Sequence, residues 1–326
     1  MVRKKIAAVT LTYGDRAKYL TQVIPSLINE GVDIIIIVSN GSERNTLIQI
    51  NELMNTYSCI ELIDLGKNTG SANGFSKGIL YAFNEGADFI WLLDDDNQPL
   101  KGALNKLVKR WSLINPNNTK LLSLLSYRSD REIYKYAIQS NNPYLMLGPE
   151  NSFLGFSLSH KLTRSLKKSP LKYNSVITEG KVAVAPYGGL FFNRKLVDDI
   201  GLPDKDFFLY ADDHDFSYRI TQNKGEILLI LESELVDLET SFHLKKSNSL
   251  LNTRYFGTDS KDAIYYSVRN NIYFEKIFIT NRTLYVFNKY VYLTILFFIM
   301  LLNPKNFWKF SFILKGIRDS KKFKKK

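Results

Sequence analysis

The first hundred residues alternate four apolar runs with four segments of helical periodicity, and this alternation limits the fold more than any other feature. The apolar runs cover residues 6–11, 34–38, 60–65 and 89–93. Unbroken apolar runs rich in β-branched residues are typical of strands that are buried on both faces. Strands that alternate with helices through short links predict parallel pairing with right-handed crossovers. The sequence therefore predicts an α/β fold, with a mostly parallel central sheet flanked by helices.

Polar turns follow each of the four predicted strands. They are Thr12-Tyr13-Gly14, Ser39-Asn40-Gly41-Ser42, the segment 66–74 and Asp94-Asp95-Asp96-Asn97. The carboxyl ends of parallel strands meet along one edge of the sheet, and ligands bind at that edge. We therefore expect a glycine-rich loop, polar turns and an acidic cluster around one crevice.

The acidic cluster Asp94-Asp95-Asp96 directly follows a predicted buried strand. Adjacent carboxylates repel one another, and each is costly to remove from water. A cation is one explanation, and carboxylate oxygens suit Mg²⁺ or Mn²⁺. A solvated acidic turn that caps the helix after Pro99 is the other. The residues of this cluster alone leave both interpretations open.

A second acidic cluster, Asp212-Asp213-His214-Asp215, starts a predicted helix that extends to about residue 225. One aspartate at a helix N-terminus is expected as a cap. Three aspartates within four residues, directly after the aromatic run 207–210, favour a functional role. A strand is also predicted at 182–187. Gly188-Gly189 follows it and would let the backbone approach another group closely.

The glycine spacing excludes two common nucleotide-binding classes. Glycines at 66, 70, 74 and 78 match neither G-x-G-x-x-G nor G-x-x-x-x-G-K-[ST]. A nicotinamide-dependent dehydrogenase and a P-loop nucleotidase are therefore both disfavoured. The loop is interpreted either as a flexible entry to a helix or as backbone that passes close to a ligand.

The net charge of +12 is concentrated at the C-terminal end, where residues 281–326 contain eleven lysines and arginines and one aspartate. The apolar run 291–302 has twelve residues, fewer than the roughly 20 that span a bilayer. An aromatic, basic segment follows and predicts association with an anionic membrane surface. A solubilising tail after a packed helix pair is the alternative, and a nucleic-acid-binding arm is disfavoured. The apolar stretch 6–11 is too short for a signal peptide, so a cytoplasmic location is expected.

Together these motifs resemble the family 2 glycosyltransferases, which have the GT-A fold, and within them the rhamnosyltransferase and galactofuranosyltransferase branch. Each motif is weak alone, but their order and spacing over residues 5–275 are specific. The motifs are the segments 38–42, 68–74, 91–99, 187–189 and 207–219, together with His243.

The resemblance implies a metal and donor site built on the first cluster. Asp94 and Asp96 resemble a D-x-D pair that holds Mn²⁺ or Mg²⁺ on the donor diphosphate. His243 would complete the metal site, and Asp95 would face the donor sugar or its ribose. Ser39 stands where the family commonly has an aspartate that contacts the base, which leaves a UDP-sugar and a dTDP-sugar both open. The donor nucleotide would be lined by Thr10, Thr12, Tyr13, Asn40, Asn68, Gly70 and Asn73.

The resemblance assigns the acceptor side to the second half of the chain. Asp213 resembles the general base, and Asp212 would help to orient the acceptor hydroxyl. Acceptor binding is assigned to Gly188, Gly189, Asp215 and Arg269. The implied domains are a catalytic domain, 1–250, with a donor half, 1–100, and an acceptor half, 101–250, followed by a helical, basic, membrane-associating region, 251–326.

The implied function is a metal-dependent inverting transfer of a sugar from a nucleotide-diphosphate donor to a glycan hydroxyl. The acceptor would be lipid-linked and part of surface polysaccharide synthesis at the inner face of the plasma membrane. The alternative is a non-catalytic protein of the same fold that binds a sugar nucleotide or polysaccharide. A nucleotidyltransferase also uses paired aspartates, but residues 10–18 lack the glycine-rich basic loop of that class.

Overall fold

A computed structural model describes residues 4–166, 177–239 and 253–323 of the chain. The described residues form two compact units. The first contains residues 4–146, 177–208 and 212–239, and the second contains residues 147–166, 209–211 and 253–323. A catalytic domain that ends at residue 250 stays a prediction.

The first unit is a sheet with helices on both faces, and its elements are numbered along the whole chain. Its strands are β1 (Ile6–Gly14), β2 (Ile34–Ser42), β3 (Ile60–Asp64), β4 (Phe89–Asp94), β5 (Asn97–Pro99), β6 (Leu122–Arg128), β7 (Glu179–Val182), β8 (Leu190–Asn193) and β9 (Glu226–Asp237). Its helices are α1 (Ala17–Glu30), α2 (Arg44–Thr56), α3 (Ser71–Asn84), α4 (Ala103–Ile114), α5 (Glu132–Gln139), α7 (Lys195–Ile200) and α8 (Asp212–Gln222).

The strands follow the order β3-β2-β1-β4-β8-β6-β9-β5, and β7 pairs with β9. The first four strands are parallel, as predicted. Beyond them the sheet is mixed, because β8 runs antiparallel to both β4 and β6 while β6 and β9 are parallel. The parallel half places the ends of β1 to β4 on one edge, where the predicted polar turns lie.

The unbroken apolar runs are explained by burial on both faces of the sheet. Ile34 and Ile36 pack in one core cluster, which also contains Phe75 of α3. Ile35 and Ile37 point the other way, into a cluster with residues of α1 and α4. Successive strand side chains point to opposite faces, so a strand covered by helices on both sides carries no polar positions.

Beyond residue 100 one predicted strand is wrong and one observed strand was not predicted. The predicted strand at 182–187 is wrong, because β7 ends at Val182 and β8 begins at Leu190. Between them Ala185 donates its N–H to the Ser217 hydroxyl and accepts a hydrogen bond from it, both at 2.9 Å. The backbone of Ala185 thus bonds to α8. The long strand β9 was not predicted, although residues 227–231 are all apolar.

Two glycines of the glycine-rich segment serve packing within the protein. Gly74 and Gly78 lie inside α3, which packs on β1. A Cβ atom at Gly74 would lie 2.3 Å from Leu11 Cδ1, and one at Gly78 would lie 2.4 Å from Val9 Cγ1. These two glycines therefore allow α3 to approach the sheet, and the ligand-facing part of the segment is restricted to its first half.

The second unit is helical, as predicted for the C-terminal region. Its helices are α6 (Leu158–Leu166), α9 (Lys261–Glu275), α10 (Arg282–Leu301) and α11 (Trp308–Asp319). Its core joins Phe153 and Leu154 to apolar side chains of α9, α10 and α11. At 20 residues, α10 is long and apolar enough to cross a membrane by length and composition. The conclusion that this segment is too short to span a bilayer is therefore corrected, because the helix that contains the apolar run begins nine residues earlier, at Arg282.

A buried carboxyl in this unit predicts a stability that depends on pH. Burial raises the pKa of Glu275 to about 7. The folded chain keeps this proton up to about pH 7, whereas the unfolded chain loses it near pH 4.5. The free energy of unfolding should therefore fall by about 3 kcal/mol as pH rises through this window.

Glu275→Gln should remove that part of the pH dependence. The side chain accepts hydrogen bonds from Tyr285 Oη at 2.6 Å and from Leu154 N at 2.8 Å, and a glutamine oxygen preserves the second while its amide meets the tyrosine oxygen. Urea unfolding at pH 4.5, 6 and 7.5 measures the effect. The exposed Glu150→Gln variant is the control and should follow the wild type. Parallel pH curves for wild type and Glu275→Gln would contradict the raised pKa.

Candidate active site

The first acidic cluster lies where β4, β6 and β9 end and where β5 begins. The Asp94 carboxylate is 42 % exposed, and its Oδ2 lies 3.3 Å from Nη1 of the buried Arg128 at the end of β6. Asp237, at the end of β9, lies 3.6 Å from the same nitrogen. Asn97 donates a hydrogen bond of 2.8 Å from Nδ2 to Asp237 Oδ1. Sheet pairing thus gathers groups that are far apart in the sequence.

Asp95 is buried in an ion pair with Arg16. Its side chain is 3 % exposed, and both of its carboxylate oxygens accept hydrogen bonds from Arg16 Nε, at 2.9 and 2.8 Å. Arg16 follows the end of β1 and also pairs with Glu239 at 2.6 Å. These contacts support a structural role in the turn after β4, and a donor contact by Asp95 stays a prediction.

The cluster holds more negative charge than its arginines balance. Burial and the nearby Asp94 and Asp95 carboxylates raise the pKa of Asp96 to about 7. Burial likewise raises the pKa of Asp237 to about 6, although Arg128 opposes the shift. Burial is the main cause of both shifts, and the neighbouring carboxylates add to it. The four aspartates here face three guanidinium groups among the described residues: Arg16, Arg128 and Arg131.

Two carboxylates fit a divalent cation at this position. Asp94 and Asp96 supply the oxygen donors that Mn²⁺ and Mg²⁺ prefer. Within residues 4–166, 177–239 and 253–323, no group of three or more His, Cys, Asp or Glu side chains is arranged to hold a metal ion. The predicted third ligand, His243, lies outside the described residues. Of the three predicted ligands the structure describes Asp94 and Asp96, and metal binding by them stays a prediction.

The predicted donor loop is held in shape by amide side chains. Asn40 Oδ1 accepts hydrogen bonds from the Thr69 N–H and hydroxyl, at 2.7 and 2.9 Å. Asn68 Oδ1 accepts from Gly70 N at 2.9 Å, and Asn73 Nδ2 donates to Thr69 Oγ1 at 2.9 Å. The structure brings these predicted donor residues together. Asn40 is buried, so its observed role is to shape the loop.

The β1 residues predicted to line the nucleotide pocket differ in access. Thr10 and Thr12 have no exposed surface. Tyr13 is 50 % exposed, and its ring lies 5.2 Å from the Arg16 guanidinium carbon. Of these three residues Tyr13 is the accessible one, and the lining of the nucleotide pocket by all three stays a prediction.

A carboxylate lies beside Ser39 although β2 lacks the usual aspartate. Ser39 pairs with Asp64 in the β2–β3 register, and its hydroxyl donates to Asp64 Oδ1 at 3.0 Å. The same oxygen accepts a hydrogen bond from Gly66 N at 3.0 Å. The exposed Asp64 thus places a negative charge at the edge where the family resemblance expects one on β2.

The second acidic cluster forms the first turn of α8, and its three aspartates differ in environment. Asp212 is buried, and its Oδ2 accepts a hydrogen bond from Ser71 Oγ at 2.8 Å. Burial and the Asp213 charge raise the pKa of Asp212 to about 8. Asp213 is less buried, and its Oδ1 accepts from His214 N at 2.8 Å. Asp213 is thus the accessible carboxylate of the pair.

Asp215 pairs with Arg219, which supports a structural role, and the predicted acceptor contact stays a prediction. Its side chain is 5 % exposed, and its Oδ2 lies 3.4 Å from Arg219 Nε one turn later in α8. Arg219 in turn donates to the carbonyl oxygens of Ile200 and Leu202, at 2.6 and 3.0 Å. This network ties α8 to the end of α7.

The donor loop and both acidic clusters are neighbours in the first unit. The Ser71–Asp212 hydrogen bond joins the start of α3 to the start of α8. A Cβ atom at Gly70 would lie 2.1 Å from the Phe208 carbonyl oxygen, so only glycine permits this approach. The phenol of Tyr134 is buried close to the charges of Asp213 and Arg128, and burial and Asp213 raise its pKa. Arg128 belongs to the first cluster, so Tyr134 lies between the two.

The two consecutive glycines lie against the first cluster. A Cβ atom at Gly188 would lie 2.2 Å from Asn97 Oδ1 and 2.8 Å from Asp94 Oδ2. Gly189 adopts φ +98° and packs on Ser126. A side chain at Gly188 would therefore displace Asp94, and acceptor binding by Gly188 and Gly189 stays a prediction.

Gly188→Ala should weaken donor binding and leave acceptor binding unchanged. The added methyl group would push against Asn97 and Asp94, so we expect at least a tenfold loss of metal-dependent donor affinity by calorimetry. Gly180→Ala in β7 is the matched control. Its Cβ would lie 2.6 Å from Ile138 Cβ of α5 and would touch no carboxylate of the cluster. A higher KM for acceptor with unchanged donor affinity would support the assignment of Gly188 to acceptor binding.

Arg269 lies in the second unit among aromatic rings. Its guanidinium carbon is 4.2 Å from the Phe323 ring centre and 4.8 Å from that of Tyr266. Its Nε donates to Asn270 Oδ1 at 2.7 Å. These contacts support a structural role, and an acceptor contact by Arg269 stays a prediction.

Several residues of this site were not predicted from the sequence. Each of them stands at the end of an apolar strand or at the start of a helix, and this position is the signal that could have identified them. They are Arg16, Arg128 and Asp237 around the first cluster, and Tyr134 near the second.

The parallel strand order, the acidic turn after β4 and the aspartates that open α8 define a GT-A-type transferase fold. The sequence profile described as Glycosyl transferase family 2 matches residues 8–200, which is more than half of the chain. The chain therefore belongs to glycosyltransferase family 2.

Relatives with assigned activities come from the expected branch. The galactofuranosyltransferase GlfT1 of Mycolicibacterium smegmatis is 25 % identical over 225 residues, which cover 67 % of this chain and 66 % of the relative. The dTDP-rhamnosyl transferase RfbF of Shigella flexneri is 23 % identical over 217 residues, 65 % of this chain and 62 % of the relative. The matches thus span somewhat less than two thirds of each relative's length.

A solved structure shares the fold at low sequence identity. It is the mannosyltransferase PcManGT from Pyrobaculum calidifontis in complex with GDP-Man and Mn²⁺. The TM-score is 0.53 at 12 % identity, with 100 % of this chain and 77 % of that one covered. This likeness supports the GT-A fold.

Proposed function

We propose that this protein transfers a sugar from a nucleotide-diphosphate donor to a hydroxyl group of a glycan, with inversion at the anomeric carbon. The observation that carries the proposal is the position of Asp213. This accessible carboxylate stands beside the buried Asp212, which the Ser71 hydrogen bond joins to the donor loop. A proton acceptor therefore lies next to the place expected for the donor.

The chemistry needs a base, because an acceptor hydroxyl has a pKa far above 7. Asp213 would accept the hydroxyl proton as the oxygen attacks the anomeric carbon. Asp212, with its raised pKa, would orient the acceptor hydroxyl, and its hydrogen bond from Ser71 would fix its position relative to the donor loop. A single attack opposite the leaving diphosphate inverts the anomeric centre.

Asp94 and Asp96 would hold a divalent cation, with His243 as the predicted third ligand. Their oxygens suit Mn²⁺ or Mg²⁺, and the excess of carboxylates over guanidinium groups leaves room for positive charge. When bound, such a cation would offset the negative charge that develops on the leaving diphosphate. The Mn²⁺ of the mannosyltransferase of the same fold supports this assignment.

The proposed donor is a UDP- or dTDP-sugar. Uracil and thymine share a ring N–H donor, and the Asp64 carboxylate offers an acceptor at the ends of β2 and β3. The names of the relatives, a galactofuranosyltransferase and a dTDP-rhamnosyl transferase, point to the same donor class. The proposed acceptor is a lipid-linked glycan of surface polysaccharide synthesis at the inner face of the plasma membrane, as the family resemblance implies.

A screen of sugar nucleotides by thermal unfolding tests the proposal. A UDP- or dTDP-sugar with Mn²⁺ should raise Tm by several degrees, because a ligand bound to the folded state stabilises it by mass action. GDP-mannose with Mn²⁺ and every donor with EDTA are the controls and should give no shift. Stabilisation without any sugar transfer to glycan acceptors would favour the non-catalytic alternative. No shift with any donor would contradict the proposal.

A further inference from the structure

One side of α10 exposes an uncharged band along the whole helix. Its exposed side chains recur every three or four positions, which places them on one face. Tyr290 is 65 % exposed and Phe298 is 58 % exposed. We call this surface the α10 face, and it consists of Thr283, Val286, Phe287, Tyr290, Thr294, Phe297, Phe298 and Leu301. Soluble proteins seldom leave such a surface uncovered, so it marks an interaction site.

The opposite side of α10 is tied to the second unit by buried polar contacts. Asn288 has no exposed surface. It donates from Nδ2 to the Asn151 carbonyl oxygen at 2.9 Å and accepts from Leu158 N at 3.1 Å. Tyr285 donates to Glu275 at 2.6 Å. A helix that crossed a bilayer as a single span would lose these partners and leave the amide unsatisfied in hydrocarbon.

Positive charge lies at both ends of the α10 face. Arg282 opens the helix, and Lys305 follows its end. On and just after α11 the exposed bases are Lys315, Arg318, Lys321 and Lys322. A second copy of the chain would bring the same positive charges together, whereas an anionic bilayer complements them. Charge therefore favours lipid over self-association as the partner of this surface.

We propose that the α10 face lies in the interfacial plane of an anionic bilayer, with its aromatic side chains among the upper acyl chains and the flanking bases at the phosphate headgroups. A helix with one apolar face and one face bound to its own protein lies on a membrane and does not span it. The inference rests on the membrane location proposed above, but it does not depend on sugar transfer. It assigns the apolar contact to α10, a helix that precedes the basic tail.

Flotation of the full chain with vesicles tests this surface. Vesicles of phosphatidylcholine with 30 % phosphatidylglycerol are compared with pure phosphatidylcholine. Phe287→Glu combined with Phe298→Glu should lower binding to the anionic vesicles by about tenfold or more, because charges would enter the apolar layer. Leu113→Glu combined with Leu162→Glu is the matched control. These leucines are 76 % and 61 % exposed, and their replacement should leave binding unchanged.

Two further measurements make the outcome decisive. The Tm of the α10 variant shows that it is folded, and Tyr290→Trp should be quenched by lipids brominated near the headgroup more than by those brominated at the chain ends. Equal flotation of the α10 variant and wild type would overturn the proposal and would assign membrane binding to the basic residues after α10 alone. Protection of a C-terminal tag inside sealed vesicles would overturn it in favour of a spanning helix.

Self-association is the remaining outcome. A dimer in sedimentation experiments that the α10 substitutions dissociate, without vesicle binding by wild type, would identify a second copy as the partner and overturn the proposal. Transfer to a soluble acceptor, measured with the same variants, should be unchanged. Unchanged flotation of the α10 variant, with sugar transfer by wild type, would contradict this inference alone. Loss of flotation in the α10 variant, with no sugar transfer by wild type, would contradict the proposed function alone.

Discussion

Asp213→Asn is expected to lower kcat by about 10³-fold and to change donor affinity less than about threefold. An amide cannot accept the proton of the attacking hydroxyl, but it has nearly the shape of the carboxylate. The donor loop is held through Asp212 and Ser71, at 2.8 Å, so the substitution should leave the donor site intact. Turnover is measured with saturating donor, and donor affinity by calorimetry with Mn²⁺ present.

Two other aspartates control the Asp213 experiment. Asp199 is exposed on α7 of the same unit, and Asp199→Asn should keep wild-type turnover. Asp212→Asn retains an oxygen that can accept from Ser71, so its kcat should fall less than that of Asp213→Asn. Full turnover in Asp213→Asn would refute the assignment of the base. Loss of turnover in Asp212→Asn alone would move the role of base to Asp212.

Removal of either proposed metal ligand should abolish metal-dependent donor binding. Asp94→Asn and Asp96→Asn each take away one anionic oxygen from a site with two described ligands, so donor affinity in Mn²⁺ should fall by about 100-fold and turnover by about 10³-fold. Donor affinity measured with EDTA should be the same in wild type and both variants. Binding of Mn²⁺ alone, followed by electron paramagnetic resonance, provides a readout that does not require activity.

Further variants separate the loss of a metal ligand from a general loss of negative charge. Asp199→Asn again serves as the control and should bind Mn²⁺ and donor as wild type does. Asp95→Asn should reduce the free energy of unfolding, because it leaves the partly buried Arg16 with a weakened partner. Wild-type Mn²⁺ affinity in both Asp94→Asn and Asp96→Asn would contradict the metal assignment.

The first half of the sheet was predictable because its information is local. Unbroken apolar runs and short links are sufficient to predict four parallel strands, and β1 to β4 confirm them. The second half depends on pairing between distant segments. Residues 182–187 have the composition of a strand, but Ala185 bonds to Ser217 of α8. Composition does not reveal which backbone partner is available.

The candidate site was likewise predictable only in part. Asp94, Asp96, Asp212 and Asp213 stand in short acidic runs that are visible in the sequence. Their partners are not visible there, because Arg128 and Asp237 reach the first cluster only through the pairing of β6 with β9 and of β5 with β9. The α10 helix shows the same limit, since its apolar length is local but its buried face is set by Asn151 and Glu275.

The sequence by itself determined the α/β class, the family and the two acidic clusters, because hydrophobic periodicity and runs of like charge are properties of neighbouring residues. Only the tertiary structure decided how far each carboxylate is buried and which group it pairs with, because both depend on the packing of segments that are distant in the sequence. Arg16 reaches Asp95 from the end of β1, and Arg128 reaches Asp94 from the end of β6. Asp94 and Asp213 keep accessible carboxylates.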